Sequence, residues 1–595
     1  MNCPRMNWEK ALRRLVHIAV ACLAAVSRQA FAETYHVSQA ASSSDQSRGT
    51  ATAPWRTISH AAKQVKPGDA VLIHQGVYRE WVAPSVSGTP DAPITFAGAP
   101  SEEVVLSGAD PITVWERVPG DPPVYCSKPW THRFVVGQTA EGAPIYHHPG
   151  DKRHELIGRA EQVIVDGMLL QQVLRRDTLV KGSFFADVEG QALYVWLPNG
   201  DGPEGHRVEA AVRQLVFGLN VWSLQGRADY LRLRDLTFRY GANFAQRGAL
   251  WVGGDGWQIE NVVVEWTNGC GVSVGGRGLK VKNLVCRHNG QMGLGGSPQE
   301  ALLEDVKLLD NNRKGFDAGW EAGGMKFAFA QDTTLRRFEA ARNHGPGIWF
   351  DIDNRRCAVT QSYAHHNRGP GIFVEISGRG GFHLTDNLCV ANGLEKESEW
   401  GAAGILLGES CECTVERNLC LGNREGIALR MQEPRPCQTL ETQADGSHLE
   451  IQYATAQHKI AHNVLAFNRD WQLAIWGDNP FFDKEPGGKG TDPQRIGLTI
   501  DHNLYYAVEQ QGLILYGPTW KPRHEKYTDL RLWQQAHGFD QHSVSGDPQL
   551  TSPTKGDFRL RPTSPAHRLK AVPEQMPIGI SPLQIKELQT PEGRP

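Results

Sequence analysis

Short apolar segments alternate with turns containing Asn or Asp over most of the chain. Asn261 and Asn283 are 22 residues apart, and Asn343 and Asn367 are 24 apart. A step of this length, repeated many times, is typical of a solenoid in which each repeat contacts only its neighbours. We therefore predict an all-β fold, a right-handed parallel β-helix with about three short strands per coil. The segments that end in such a turn include Ile259–Asn261, Val281–Asn283, Leu303–Asp305, Leu384–Asn387, Val415–Asn418, Ile460–Asn463 and Ile500–Asn503.

Asn at a repeated turn has a physical use in this fold. Its amide can stack on the amide of the next coil and bond polar groups that burial would otherwise leave unpaired. An antiparallel sandwich is the alternative, but it does not require a register held over so many repeats. The period therefore favours the β-helix.

Loss of the period divides the chain into regions. Residues 33–94 are predicted to form an N-terminal cap and the first coils. From about residue 95 to residue 215 the Asn and Gly period is absent, and strand-like segments such as Gln162–Leu170 and Ala192–Leu197 predict an inserted, small β-sandwich-like domain. Residues 216–545 are predicted to form the main β-helix with the catalytic face, and 546–595 a closing edge strand and tail.

Residues 1–32 have the pattern of a signal peptide. Basic residues up to Arg14 precede the apolar run Leu15–Val26, and Ala30 and Ala32 supply small side chains around a cleavage point. The apolar run is short for a membrane anchor. We expect an exported protein, periplasmic or extracellular, with no membrane association after signal removal.

Composition narrows the range of partners. The 595-residue chain has 63 Gly, 35 Pro, 40% hydrophobic residues and a formal net charge of −3. This describes a folded, turn-rich chain without the basic surface that nucleic-acid binding requires. Of 11 cysteines, nine follow the signal peptide; Cys286, Cys389 and Cys420 have the spacing of residues lining a solenoid interior. Cysteine spacing defines neither a disulfide framework nor a metal site, and no cofactor is implied.

Two segments of the chain are nearly identical, and each leads to an acid. Asn343–Asp351 reads NHGPGIWFD and Asn367–Glu375 reads NRGPGIFVE, so both acids lie eight residues after the Asn, and Asp351 and Glu375 are 24 residues apart. If the segments are stacked strands, the acids lie side by side, about 4.7–4.9 Å apart at the backbone. A retaining glycosidase places its two carboxyl groups about 5–5.5 Å apart.

Strand alternation predicts which side chains share a face. With Ile348, Phe350 and Ile352 turned inward, Trp349, Asp351 and Asp353 turn outward. Phe373 and Glu375 turn outward in the same way from the next coil. The expected exterior therefore carries stacked aromatics beside stacked acids, which suits a sugar ring and its glycosidic bond.

Outward acids on a solenoid are often simply solvated. Like charges opposite each other on adjacent strands are, however, destabilising. A functional site can retain them because their proximity raises one pKa, leaving one group protonated as an acid and the other charged as a nucleophile.

Further residues surround the pair in this interpretation. Glu321 and Lys326 precede Asp351 by one coil and are candidates to bind sugar hydroxyls, or they form a surface ion pair. Arg430 occupies the position equivalent to Glu375 two coils later; equivalent positions on successive coils form a column. Arg430 either binds substrate or partly neutralises the negative charge of the two acids. The loop 431–456 follows Arg430 and is a candidate wall that restricts the cleft to chain ends. We assign to substrate binding Glu321, Trp320, Lys326, Trp349, Asp353, Phe373 and Arg430.

The chain resembles glycoside hydrolase family 120, β-xylosidases with a right-handed β-helix interrupted by a β-sandwich. The resemblance rests on Gly68–Thr89, on Trp115–Val118 and on the two acid strands, and with gaps it extends over most of the chain after the signal peptide. It implies that Asp351 is the nucleophile and Glu375 the acid/base. The segment Glu321–Lys326 is similar to a family segment near the sugar-binding subsite, although Trp320 stands where the family pattern has His, a departure that bears on sugar preference.

The sequence therefore predicts an exported retaining glycoside hydrolase that acts on oligosaccharides, with an exo-acting β-xylosidase as the specific form. A polysaccharide lyase or uronate epimerase is one alternative, with Lys326 or Arg430 as base. A non-catalytic carbohydrate-binding surface protein is the other. The sequence names neither the sugar and linkage nor the oligomeric state, and it leaves exo and endo action both open.

Overall fold

The computed structural model describes residues 32–575 except 121, 136, 139–141, 143, 146–154, 220–226, 396–400, 432–433, 478–495, 509–510 and 518–523. The predicted signal peptide up to residue 31 and residues 576–595 of the predicted tail lie outside the described residues. Among the helices of the described part, none has the length and apolarity needed to cross a lipid bilayer.

Parallel strands wind around one long apolar core, which confirms the predicted β-helix. Ile259 pairs with Val281 and Val281 with Leu303, the 22-residue step of the sequence. Ile348 pairs with Ile372, the 24-residue step. The inward side chains of these strands are fully buried in a single cluster that extends along the solenoid.

The solenoid strands form two sheets. The first sheet contains Thr34–Val37, Ala70–Ile73, Gly76–Tyr78, Ile94–Gly98, Val104–Ser107, Leu231–Arg239, Gln258–Glu265, Lys280–Arg287, Leu302–Leu309, Thr334–Arg336, Glu339–Ala341, Cys357–Thr360, Tyr363–His365, Phe382–Thr385, Leu388–Val390, Cys413–Glu416, Leu419–Leu421, Lys459–Ala461, Val464–Ala466, Thr499–Asp501, Leu504–Tyr506 and Val544–Ser545. The second sheet contains Gly248–Val252, Cys270–Val274, Met292–Gly296, Gly323–Phe327, Ile348–Asp351, Ile372–Glu375, Ala403–Gly408, Glu425–Met431, Trp471–Gly477, Gly512–Tyr516 and the antiparallel Glu525–Tyr527.

A ladder of buried asparagines holds the coils in register. Each amide Nδ2 donates to the Oδ1 of the next Asn at 2.9–3.1 Å, and the series is Asn289, Asn311, Asn343, Asn367, Asn392, Asn423 and Asn468. Glycine makes room for each amide: a Cβ at Gly347 would lie 2.8 Å from Asn367 Nδ2, and one at Gly371 would lie 2.8 Å from Asn392 Nδ2. This contact explains why a Gly, four residues after the Asn, directly precedes each acid strand.

The corners of the first sheet explain the remaining turn residues. Asp235, Asn261, Asn283 and Asp305 have φ values of 54–56° and bend the long strands of four successive coils. Asn and Asp tolerate this left-handed region better than most residues. Asn283 Nδ2 donates to Asn261 Oδ1 at 2.9 Å, so this exposed corner carries an amide ladder of its own.

The N-terminal end of the solenoid lies under a helix. Strand Thr34–Val37 pairs with Ala70–Ile73, and the helix Ile58–Gln64 lies between them in sequence. The Thr57 hydroxyl caps the helix by accepting a hydrogen bond from the His60 amide at 3.1 Å. Ile58 and Ala61 of this helix are fully buried in the solenoid core.

The inserted region begins later than residue 95. Ile94–Gly98 and Val104–Ser107 both pair with Leu231–Arg239, so they are solenoid strands. The chain leaves the solenoid at Ala109–Pro111, which pairs antiparallel with Val208–Ala211. The coil that contains these two strands lacks the Asn turn, so the sequence period is absent there. The predicted start of the insertion at residue 95 was therefore too early.

Two small sheets around a shared core make up the insertion. One contains Ala109–Pro111, Val163–Val165, Met168–Leu169 and Val208–Ala211; the other contains Glu116–Arg117, Tyr125–Ser127, Gln171–Val173, Ser183–Asp187 and Ala192–Trp196. A further strand pair is Gly137–Gln138 with Pro144–Ile145, and the short helices are Glu155–Gly158 and Arg176–Thr178.

The predicted loop at 431–456 contains an antiparallel hairpin, Arg435–Thr442 with His448–Tyr453. Residues 479–495 lie outside the described residues. Further along the chain, the helix Leu530–His537 follows the second sheet. After the solenoid come the strand pair Leu550–Ser552 and Asp557–Leu560 and the 3-10 helices Pro553–Lys555 and Pro565–His567. The nine cysteines of the described part are free thiols, and Cys286, Cys389 and Cys420 are fully buried in the core, as predicted.

Candidate active site

Asp351 and Glu375 end two neighbouring strands of the second sheet and pair directly in register. Directly paired residues of adjacent strands lie about 4.8 Å apart at the backbone. Asp351 is 6% exposed and Glu375 is 7% exposed. The structure thus brings the two acids together on consecutive coils, in a site that is almost closed to solvent.

Both strands stop at the acid, and this changes the position of the next acid along the chain. Ile352 and Asp353 have φ values of 65° and 49°, so the extended alternation ends at Asp351. The Asn354 side chain closes this turn by donating to the Asp351 carbonyl at 2.9 Å. Asp353 is fully buried and accepts a hydrogen bond from the Tyr453 hydroxyl at 2.6 Å. The expectation that Asp353 faces the sugar beside Asp351 is therefore wrong.

Lys326 holds one oxygen of Asp351. Its Nζ lies 2.8 Å from Asp351 Oδ2 and 4.0 Å from the centre of the Trp349 ring. It also donates to the Trp320 carbonyl at 2.9 Å. The second oxygen, Asp351 Oδ1, is buried and accepts no hydrogen bond from the residues that the structure describes. One carboxylate oxygen is thus paired with a cation, and the other is buried without a hydrogen bond from the described residues.

Two arginines bind a single oxygen of Glu375. Arg430 Nη2 and Arg435 Nη1 each lie 2.8 Å from Glu375 Oε1. Arg430 shares the column of Glu375, because Glu375 pairs with Gly408 and Gly408 pairs with Arg430. Glu409 lies 3.3 Å from Arg430 on the other side. Within the described residues, Glu375 Oε2 has no hydrogen-bond partner.

The surroundings of Glu375 favour its protonated form. Burial raises the pKa of Glu375, and the neighbouring charge of Asp351 raises it further. Arg430 and Arg435 act in the opposite direction and do not cancel these effects. A buried carboxyl beside a second carboxylate is the arrangement that keeps one proton available for donation.

Trp349 and Phe373 stack with ring centres 5.3 Å apart and planes inclined by 16°. They point away from the solenoid core, as predicted, but they are only 2% and 6% exposed. Lys326 lies over the Trp349 ring, and the Arg430 guanidinium lies 5.3 Å from the centre of Phe373. The two rings therefore pack against Lys326 and Arg430. They do not form the expected exposed aromatic surface for a sugar.

Glu321 belongs to the electrostatic surroundings of the acids. Burial raises its pKa, Lys326 opposes the rise and Asp351 adds to it. The side chain of Gln246 donates to the Glu321 carboxylate. Trp320 is half-buried in a separate apolar cluster and contributes its backbone carbonyl to Lys326.

Sequence reasoning missed Arg435 and Gly408. Arg435 lies in the hairpin that follows residue 431, where the coil period is interrupted and no pattern indicates a direction. Gly408 lies on the strand after Glu375, at the equivalent position. A glycine at that position is visible in the sequence and could have indicated that a neighbouring side chain occupies the space.

The fold and the site together define a β-helix protein with a paired-carboxylate site. Residues 247–420 match the family described as "Right handed beta helix region". The chain is 22% identical over 530 residues to "Uncharacterized protein YwoF" of Bacillus subtilis (strain 168), covering 88% of this chain and 90% of that protein.

Two solved structures were compared with this chain, and one of them shares the architecture. A structure described as the complex of XylC with xylose has a TM-score of 0.62 and 16% sequence identity, covering 87% of each chain. A structure described as a glycoside hydrolase has a TM-score of 0.46 and 13% identity, covering 67% of this chain and 95% of that chain. At these identities the likeness to XylC establishes a common fold.

Proposed function

We propose that this protein is an exported retaining glycoside hydrolase that releases sugar, with xylose as the leading candidate, from oligosaccharides. The observation that carries the proposal is the in-register pair Asp351 and Glu375. One acid has a free oxygen and a cation on the other. The second acid has a raised pKa. These are the two unlike carboxyl groups that double displacement requires.

The reaction would proceed in two steps. Asp351 Oδ1 attacks the anomeric carbon while Glu375 donates its proton to the leaving glycosidic oxygen, and a covalent glycosyl-enzyme forms. Glu375, now ionised, removes a proton from water, which attacks the same carbon and releases Asp351. Arg430 and Arg435 stabilise the ionised Glu375 between the steps, and Lys326 orients Asp351.

The charge arrangement supports a neutral sugar. Lys326 pairs with Asp351, and Arg430 and Arg435 pair with Glu375. A uronate would need a cation without a carboxylate partner, and in this site each of these three cations already has one. This pairing favours hydrolysis of a neutral sugar over uronate elimination or epimerisation.

The comparisons support the same class. XylC, described with bound xylose, shares the β-helix over 87% of this chain. The hairpin Arg435–Thr442 and His448–Tyr453 brings Arg435 to Glu375. A wall at this position supports action at chain ends.

A panel of aryl β-glycosides assayed with the wild type, Asp351→Ala and Glu375→Ala tests the proposal. We expect Glu375→Ala to lose about 10²–10⁴-fold on poor leaving groups, since it removes proton donation, and much less on activated ones. Azide should rescue both variants, giving the inverted glycosyl azide with Asp351→Ala and the retained one with Glu375→Ala. Wild-type rates in both variants would refute the assignment.

The alternatives have distinct signatures. An absorbing, unsaturated uronate product would indicate a lyase. Saccharide binding without turnover, unchanged in Asp351→Ala, would indicate a binding protein. Export is tested by fractionating cells and determining the N-terminus of the mature chain, expected near Glu33.

A further inference from the structure

A cavity of about 360 Å³ lies at the junction of the inserted domain and the second sheet, away from the two acids. Trp81 comes from the first coils, Arg213 and Gln214 from the end of the insertion, and Trp251 from the first strand of the second sheet. Phe244, part of the core of the insertion, closes one side. A cleft of this size between structural units is a typical ligand site.

Two indole rings are held in place at this cavity. Trp81 is 48% exposed, yet its Nε1 donates to the Gly218 carbonyl at 2.9 Å. Trp251 lies against Gly253, where a Cβ atom would approach its Nε1 to 2.5 Å. Large aromatic faces that stay partly exposed and ordered offer an apolar surface to the face of a sugar ring.

Two polar side chains of the cavity, Arg213 and Gln214, suit a ligand without charge, and a third, Arg247, has its guanidinium 5.9 Å from the centre of the Phe244 ring. Both terminal nitrogens of Arg213 bind Asp110, at 2.8 and 3.0 Å, so its charge is already neutralised. The Gln214 amide makes no hydrogen bond within the part of the chain that the structure describes, and it can both donate and accept. Hydroxyl groups are the natural partners of such an amide.

Register connects this cavity to the acids. Trp251 pairs with Ser273, Ser273 with Gly295, and Gly295 with Lys326, the residue that holds Asp351. One more step reaches Trp349. Four strand steps correspond to about 19 Å. The two positions between Trp251 and Lys326 have small side chains. Ser273 is 2% exposed, and a Cβ atom at Gly295 would lie 2.7 Å from Met292 Cε, so neighbouring residues cover the sheet along this line.

We propose that the cavity between Trp81 and Trp251 is a second saccharide-binding site, which holds a neutral sugar unit of the substrate chain remote from the bond that is cleaved. The proposal rests on the proposed function for its ligand class. The separation from Asp351 is too large for one sugar ring to contact both sites. A chain of several units is long enough to reach from one site to the other.

Calorimetric titration of the Asp351→Ala protein with xylo-oligosaccharides of two and eight units tests this proposal without turnover. We expect the eight-unit chain to bind more tightly than the two-unit chain. Adding Trp251→Ala or Trp81→Ala should weaken binding of the eight-unit chain about 2- to 12-fold each. Trp81→Phe, which keeps an aromatic face, should retain most of the affinity, and unchanged thermal midpoints show that the variants are folded.

Two results would overturn the second site. One is equal weakening of the two-unit and eight-unit ligands by Trp251→Ala; the other is no effect of either substitution on the eight-unit chain. Cello-oligosaccharides are titrated in parallel, and absence of binding by both series also counts against the proposal. Because binding alone is measured, the titration tests the cavity even in a protein that hydrolyses no aryl glycoside.

Discussion

The guanidinium of Arg430 lies over Gly408, in the space that a side chain at residue 408 would occupy. A Cβ atom at Gly408 would lie 3.0 Å from Arg430 Nη2 and 3.2 Å from its Nε. It would also lie 3.2 Å from Phe373 Cε2. Arg430 therefore reaches Glu375 across an intervening strand because that strand carries glycine at this position.

Gly408→Ala should displace Arg430 from Glu375. One charge-assisted hydrogen bond of about 1.5–3 kcal/mol is lost or lengthened, and we expect kcat/KM on aryl glycosides to fall about tenfold. Gly275→Ala is the matched control, since no atom lies within 4 Å of a Cβ built there and its φ is not positive. Wild-type kinetics in Gly408→Ala would show that the Arg430 contact has no role in turnover.

The pH profile should report Glu375. The acid step needs protonated Glu375, so kcat/KM falls as pH rises through its raised pKa. Arg435 lowers that pKa, and Arg435→Gln should therefore move the alkaline limb to higher pH. The shift is moderated by solvent because the Arg435 side chain is 45% exposed. Arg559→Gln, on the C-terminal strand pair, should leave the limb unchanged; a limb moving to lower pH in Arg435→Gln contradicts the assignment.

Asn367→Ala should destabilise the solenoid. The Asn367 side chain donates to Ala340 O and Asn392 Oδ1, and its Oδ1 accepts from the backbone and side chain of Asn343. Its removal leaves buried groups unpaired, and we expect a loss of about 3 kcal/mol in the free energy of unfolding, measured by urea denaturation.

A second Asn-ladder position provides the control for Asn367→Ala. Asn283 is exposed and has a φ of 54°, which glycine adopts readily. Asn283→Gly should change the free energy of unfolding by about 0.5 kcal/mol or less. Equal losses at the two positions would mean that burial of the ladder does not determine its contribution.

Tyr453→Phe should loosen the hairpin that carries Arg435. The Tyr453 hydroxyl donates to fully buried Asp353 at 2.6 Å. Losing that donor leaves buried Asp353 Oδ1 without a hydrogen bond, although Arg379 Nη2 stays 3.7 Å away, and we expect a loss of about 1–3 kcal/mol of stability. Tyr506→Phe is the control, because the Tyr506 hydroxyl makes no hydrogen bond within the described residues. The midpoint of thermal unfolding is measured for both variants. An unchanged midpoint in Tyr453→Phe would show that the contact with Asp353 does not stabilise the protein.

Much of the fold could be predicted from the sequence because the solenoid repeats a local rule. The Asn turn, the following Gly and the apolar strand recur in each coil, and parallel pairing in register converts a 24-residue spacing into contact between Asp351 and Glu375. Contact between Asp351 and Glu375 therefore follows from the coil length alone, without knowledge of contacts between distant segments.

Other features depend on contacts that no period encodes. The left-handed turn at Ile352 buries Asp353 under Tyr453, and a hairpin outside the repeat supplies Arg435. Trp81 and Trp251 are 170 residues apart and meet because the insertion leaves the first coils and returns to them.

The sequence by itself determined the solenoid, its register and the pairing of the two acids, since backbone hydrogen bonds between neighbouring coils fix all three. Only the tertiary structure decided which oxygen of each acid is bound, how closed the site is and where the second cavity lies. Those properties arise from side chains of non-repeating segments packing against the repeat, and such packing is specified by shape and charge in three dimensions.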